Sequence, residues 1–351
     1  MLLVVVGVLQ RWTLNEYALT PGDATPVQQL VSIKGLPVDS SHDTIMLTDV
    51  YLQRLSAWQY LVMHFERHVT FLSADQILEP GIPSSQLVAQ GFLEMADSKQ
   101  YAEVSAFSSL GWHLEPTRTG AIINGVVSNS PAAKAEIKVA DEVVGVNGKP
   151  VLNACQLEAS VHALAPGTRI ALEVERAHIS SSGDITRTAP SKVWLRTAAP
   201  SQSLSSGCSG VKGPARSWLG LSLEDGVHYK FPAEISINTK YIGGPSAGLA
   251  MTLSLIDSLS KGSLTGHHRI AATGTIDQFG NVGDVGGVAQ KTVAVGDAGA
   301  KVFFVPRVEV ATAKANAPSG LRIVGVTRLS QVLSTLERIG GAKPIPITPP
   351  L

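Results

Sequence analysis

The stretch Gly243-Gly244-Pro245-Ser246-Ala247-Gly248 constrains this chain more than any other. Just before it, Ile235 and Ile237 alternate with Ser236 and Asn238, the period of a half-buried strand. Just after it, Leu249-Ala250-Met251 opens an apolar run to about Leu259, the pattern of a buried helix. A strand must therefore become a helix across a few residues with almost no side chain. Small residues let another backbone approach, and proline suits a first helical turn because its missing N–H would have no partner there. Amides at such a helix start can face a developing oxyanion. Ser246 is thus a candidate nucleophile, and a plain N-capping serine is the equal alternative from the local sequence.

Downstream, Ala271-Ala272-Thr273-Gly274-Thr275-Ile276 reads as a strand entering a turn, and residues 278–283 as a hairpin-like loop. Gly286-Gly287-Val288-Ala289-Gln290-Lys291 then opens a second helix running to Ala298. Lys291 is the only charged residue between Asp284 and Asp297. An amine among apolar neighbours loses the hydration of its charged form, so its pKa falls and it can accept a serine proton. A lysine in such a stretch can also reach water along its own stem, so both readings stand at this point.

The 351 residues suggest two or three domains, and an apolar content of 44% supplies real cores. Lys+Arg and Asp+Glu balance at 28 each, which argues against a nucleic-acid partner. No phosphate-binding G-x-x-x-x-G-K-[ST] loop occurs, so the sequence contains no P-loop ATP motor. Residues 1–9 (MLLVVVGVL) are uninterruptedly apolar. As a helix they reach about 13 Å against a bilayer core of about 30 Å. They read either as a buried first element or as the outer half of a membrane anchor. Residues 44–51 contain a strand-like core, and residues 52–69 carry helical periodicity with His64 and His68 four apart. Glu66 lies between the two and no third ligand is evident, so the expected role is an ordinary exposed helix face rather than a metal site.

Residues 107–197 form a different pattern: a strand over 121–127, tight Asn147-Gly148 and Pro166-Gly167 turns, a helix over 154–164 and a strand from Ile170 to Val174. The order of Ser130-Pro131-Ala132, Asp141 and Val146-Asn147-Gly148 resembles a bacterial PDZ domain of the kind attached to periplasmic proteases. Ala140 departs from the family, which has glycine before the aspartate. The resemblance implies a loop of the form x-Φ-Gly-Φ that holds a peptide carboxylate, for which Ser109-Leu110-Gly111-Trp112 fits. It also implies a side-chain pocket lined by Leu157 and Val161. Residues 198–213 have the Ser/Gly/Ala composition of a linker. Two cysteines, Cys155 and Cys208, are too few for a disulfide framework or a cysteine-rich zinc site, though they can pair with each other in an oxidising compartment.

The C-terminal blocks resemble the proteolytic domain of Lon-type serine proteases. That family's G-P-S-A-G motif falls on residues 244–248, its G-G-x-x-x-K on residues 286–291, and its T-G-x-I threonine on Thr273. The resemblance implies Ser246 as nucleophile, Lys291 as base and Thr273 as the residue that positions the amine. Gly243 stands where many ATP-dependent relatives have an acid, and Glu224, Asp225 and His228 are candidates for a supporting polar role. The whole chain resembles a family of ATP-independent, membrane-associated bacterial proteases.

The expected architecture is α+β and multidomain, a small β-rich PDZ domain followed by an α+β Lon-type domain. The expected boundaries are an apolar segment at 1–19, a mixed region at 20–105, a PDZ-like domain at 106–197, a linker at 198–214, a proteolytic domain at 215–341 and a Pro-rich tail at 342–351. The expected function is an endopeptidase acting on unfolded or flexible polypeptides without ATP, cofactor or metal, with peptide C-termini held at the PDZ domain. The alternative is a PDZ scaffold whose protease domain is silent or autoinhibited. The resemblance further implies a homo-oligomer at the cell membrane with an extracytoplasmic catalytic part.

Overall fold

The computed structural model describes residues 2–39, 43–200, 208 and 215–347. Most of the expected linker and the last residues of the expected tail therefore lie outside the described residues. The first apolar segment is a helix, Leu2–Arg11 (α1), and among the described residues no helix is long and apolar enough to cross a membrane. Strand β1 (Thr13–Pro26) follows, then β2 (Val31–Lys34) and β3 (Ile45–Ser56). Ser56 caps a short helix, α2 (Ala57–Met63), in a reciprocal pair with Gln59, and β4 (Thr70–Ser73) returns. The helix expected over 52–69 is thus shorter: residues 52–56 continue β3, because pairing with β1 from Thr13 to Pro26 outweighs the helical pattern. His64 and His68 lie beyond α2, and His64 stacks on Phe71 with ring centroids 4.5 Å apart.

A 23-residue helix, α3 (Leu87–Ser109), leads into the β-rich unit. This unit contains β5 (Pro116–Val126), β6 (Glu142–Val146), α4 (Ala154–His162) and β7 (Arg169–Glu175). It continues through a hairpin, β8 (Ala177–Ile179) and β9 (Ile185–Arg187), then β10 (Ser191–Arg196) and β11 (Leu221–Tyr229). The chain then returns through β12 (Glu234–Ile237), α5 (Gly248–Leu259), β13 (Ile270–Ala272) and α6 (Val288–Asp297). It ends with β14 (Val302–Pro306), a helix α7 (Val310–Asn316), β15 (Arg322–Val326) and α8 (Leu329–Arg338).

Two sheets organise these elements. One, of six strands, has the order β15-β14-β13-β3-β1-β4. Its inner strands β13 and β14 are buried along their whole length, as parallel strands covered on both faces must be. The other, also of six strands, has the order β10-β7-β6-β5-β11, with the short strand Lys149–Pro150 paired to β6 off that path.

This topology corrects two expected boundaries. Residues 20–105 are not a separate region: β1, β3 and β4 complete the C-terminal sheet, since β13 needs β3 as its second neighbour. The β-rich unit is accordingly inserted into the larger domain, not placed before it. Nor does the C-terminal domain begin at 215, because β11 pairs antiparallel with β5 over its full length.

The described part of the tail also has a place, since the Ile347 amide donates to the Leu110 carbonyl at 3.0 Å. Cys155 and Cys208 are joined in a disulfide that ties the described linker residue to α4.

Asp141, 1% exposed in the β-rich unit, accepts from the Lys138 and Ala177 amides and pairs with Arg176 at 2.8 Å. Removing it strands two amides and leaves the Arg176 guanidinium only the Glu136 and Ala135 carbonyls, so Asp141→Ala should lower stability by about 3 kcal/mol. Denaturant unfolding of the two proteins checks this, and an unchanged midpoint would refute it.

Candidate active site

Ser246 lies in a single 3-10 turn, Pro245–Ala247, directly ahead of α5. The turn is possible because Gly244 takes φ +87, a region that side chains disfavour. Gly243 and Gly91 pack backbone to backbone; a Cβ on Gly243 would stand 3.1 Å from the Gly91 carbonyl carbon. The Gly244 amide donates to the Gly91 carbonyl at 2.7 Å. The glycines of the motif therefore serve a close approach between α3 and the serine loop.

Lys291 sits in the first turn of α6 and is only 2% exposed. Gly287 starts that helix with φ +70, wedged where a Cβ would stand 2.9 Å from Val50 and 3.1 Å from Leu19. The Lys291 amine donates to the Thr273 hydroxyl at 3.4 Å. That hydroxyl donates to the Ser246 carbonyl at 3.2 Å, and the Gly274 amide donates to the same carbonyl at 2.9 Å. The structure thus gathers Ser246, Thr273 and Lys291 at one place from three separate elements. Among the described residues no hydrogen bond joins the Ser246 hydroxyl to the Lys291 amine directly.

Burial pulls the Lys291 amine down to about 8, against the opposing pull of the Asp49 and Glu309 carboxylates. Asp49 comes from β3; burial raises its own pKa, while the Asp23 amide bonds it at 2.7 Å. Sequence reasoning missed Asp49 because it lies 242 positions from Lys291 and no local pattern links them. The three acids and bases weighed in its stead are elsewhere on β11: the Asp225 carboxylate accepts from the Ala154 amide at the start of α4, and Glu224 faces Asp97 of α3. Adjoining Lys291, Gln290 donates to the His68 carbonyl and the Thr70 hydroxyl, which fixes α6 against β4.

A second concavity, about 470 Å³, lies between α4 and β11. Leu157 and Val161 of α4 form one wall, and Leu219, Leu221 and Leu223 line the other side. β11 ends its sheet, so among the described residues its outer edge pairs with no strand. The loop expected to hold a carboxylate is not here. Leu110 is fully buried in the larger domain's core, Trp112 packs edge-on against Phe107, and Gly111 meets Pro346. The apolar side chains of Leu110 and Trp112 drew that segment into the larger core. The x-Φ-Gly-Φ pattern recurs at Trp218-Leu219-Gly220-Leu221, beyond the linker, where it runs straight into β11. Gly220 has φ +81 and no room for a Cβ beside Ser130. Among the described residues the Leu219 and Gly220 amides donate to no backbone carbonyl. This recurrence was the available signal.

Residues 108–186 match the PDZ domain family, and residues 224–337 match the Lon protease (S16) C-terminal proteolytic domain. The chain thus combines a segment similar to PDZ domains with a segment similar to the Lon-type proteolytic domain.

Among its relatives, a Lon protease of Rickettsia felis is 33% identical over 93 residues, 26% of this chain and 12% of that one. A Lon protease of Xanthomonas oryzae pv. oryzae is 36% identical over 110 residues, 30% of this chain and 12% of that one. A probable periplasmic serine endoprotease, DegP-like, of Chlamydia muridarum is 34% identical over 105 residues, 30% of this chain and 20% of that one. The chain therefore spans only a fifth or less of the length of these relatives.

Within the PDZ domain, the Ala140 departure has a visible cost: Ala140 takes φ +71, the conformation for which the family uses glycine. In the Lon-like domain the amine environment makes a direct prediction. Acylation of Lys291 by an amine-reactive reagent, followed by mass spectrometry, should rise with pH through a midpoint near 8. Because Asp49 stabilises the charged amine, Asp49→Asn should move that midpoint down. A midpoint near 10, the ordinary lysine value, would show a solvated amine.

Proposed function

We propose that the chain is an ATP-independent serine endopeptidase that cleaves unfolded or flexible polypeptides with a Ser246–Lys291 dyad. The observation that carries this reading is a fully buried lysine bonded to Thr273, whose hydroxyl bonds the backbone of Ser246. Neutral Lys291 removes the hydroxyl proton of Ser246 as the oxygen adds to the scissile carbonyl. Amides at the α5 N-terminus receive the oxyanion charge. The tetrahedral adduct collapses to an acyl-enzyme as the Lys291 ammonium returns its proton to the leaving amine. Water, deprotonated by the same amine, then hydrolyses the ester and frees Ser246. Thr273 positions the amine and anchors the Ser246 carbonyl. In this reading the substrates are chains already unfolded or flexible when they reach the site.

In this reading the PDZ domain holds an apolar C-terminal residue between Leu157, Val161 and β11, with the carboxylate at the Leu219–Gly220 amides. The disulfide fits an extracytoplasmic setting, and the apolar α1 followed by Arg11 and Trp12 fits membrane association. The family resemblance adds a homo-oligomer. The missing direct bond between Ser246 and Lys291 favours a second reading, a PDZ scaffold with a silent or autoinhibited catalytic domain, although unliganded sites are often loose.

Cleavage of fluorescence-quenched casein without ATP separates the two. Wild type should cleave, and Ser246→Ala and Lys291→Ala should each lose at least about 1000-fold. Activity surviving in Ser246→Ala refutes the nucleophile; inactivity of every form supports the scaffold. A labelled peptide with a free apolar C-terminus should bind, and its C-terminal amide should bind at least about tenfold more weakly; equal affinities would refute carboxylate capture.

A further inference from the structure

Helix α3 carries two parallel seams. On one, Gln86, the residue that caps the helix start, is followed by Gln90, Leu93, Asp97 and Gln100 at spacings of four and three, and these face the PDZ domain. Gln86 exchanges hydrogen bonds with both backbone groups of Val126, Gln90 donates to the Asn124 carbonyl at 3.0 Å, and Gln100 donates to the Val227 carbonyl of β11 at 3.1 Å. Asp97 and Glu224 of β11 are neighbouring carboxyls, and burial, first of all, raises the pKa of each. Leu93 packs with Ile122 of β5.

The other seam follows the same spacing five residues later, about 140° around the helix. Here Gly91 receives the Gly244 amide, Ser98 donates to the Pro245 carbonyl at 3.0 Å, and Ser105 donates to the Asp277 carbonyl at 2.6 Å. Met95 and Ala102 fill the gaps in the larger core. Ser98 and Gly91 thus grip the two residues immediately before Ser246. Adjacent positions on one rigid helix, Asp97 and Ser98, hold the strand that borders the peptide groove and the loop that bears the nucleophile.

We propose that α3 couples the two sites: a chain end paired on β11 fixes the position of the Ser246 loop through the Asp97–Gln100 seam, with Ser98 as the positioning residue for the nucleophile. The proposal rests on the peptidase and groove readings above and adds regulation to them. A peptide strand on the free edge of β11 fixes that strand, Gln100 and Asp97 follow it, and the helix transmits the fixed position to Pro245. Substrates captured by their ends would thereby switch on the site that cleaves them.

The test uses a short uncleaved peptide with a free apolar C-terminus, added to the full chain with a casein-derived reporter. In wild type the bound peptide should raise kcat about fivefold or more. In the double variant Asp97→Ala/Gln100→Ala it should bind with the same Kd yet leave kcat unchanged, whereas Asp97→Asn, which keeps the side chain's size and polarity and leaves the Gln100 bond to the Val227 carbonyl in place, should retain the stimulation. Ser98→Ala should lower kcat about 10- to 100-fold with KM unchanged, a split that general destabilisation would not produce. A readout without catalysis is amide hydrogen exchange over residues 243–248 in Ser246→Ala, which the peptide should slow.

Stimulation of the double variant equal to wild type overturns the proposal. So does bound peptide that changes neither kcat nor exchange, or a peptide that does not bind. If wild type shows no cleavage that Ser246→Ala abolishes, the peptidase reading fails by itself, and exchange protection alone decides the coupling.

Discussion

Keeping a lysine amine out of water is the constraint around which the larger domain is built. Transferring an ammonium to such a place costs several kcal/mol, so the group either finds compensating partners or loses its proton. Lys291 does some of both. Asp49 and Glu309 offset part of the penalty, Thr273 takes one hydrogen bond, and the remaining deficit lowers the pKa to about 8. Each of those neighbours comes from a different stretch of chain, and so the sheet must draw on both ends of the sequence. β3 brings Asp49, the residues after β13 bring Thr273, and Gly287 lets α6 approach β1 and β3 closely enough to bury the amine between them.

The second organising element is α3. A helix with a single apolar stripe would have packed on one core and left the PDZ domain loosely tethered. Here glutamine side chains bond the PDZ strands on one seam, while glycine, serine and alanine allow tight packing against the serine loop on the other. The PDZ domain is consequently bolted to the catalytic domain through backbone carbonyls. Its β11 edge, its groove and the nucleophile loop share one rigid support.

The chemistry-bearing motifs were legible because they are local. A serine among glycines at a strand-to-helix switch, and a single lysine in an apolar helix, announce themselves within a few residues. The groove helix with Leu157 and Val161 was legible for the same reason. The segment expected to hold a carboxylate lies away from the α4–β11 concavity, because two segments, at Leu110 and at Leu219, satisfy the same short pattern. Only strand pairing distinguishes them: Leu219 precedes a strand paired with β5, whereas Leu110 ends a helix in the other core. The helix expected over 52–69 failed because periodicity cannot register the long hairpin partner, β1.

By itself, then, the sequence determined the α+β class and the presence of a small β-rich module, and it singled out the residues proposed to perform the chemistry. These follow from side-chain periodicity, turn chemistry and charge, all of which act over a few neighbouring positions. Tertiary structure alone decided that the N-terminal strands complete the larger domain's sheet, that the β-rich module is an insertion whose last strand follows the linker, that Asp49 lies near Lys291, and that α3 contacts both β11 and the loop ahead of Ser246. Those facts depend on which strand edges find each other across hundreds of residues, and hydrogen-bond pairing of backbone carries no mark in the side chains that would reveal its distant partner.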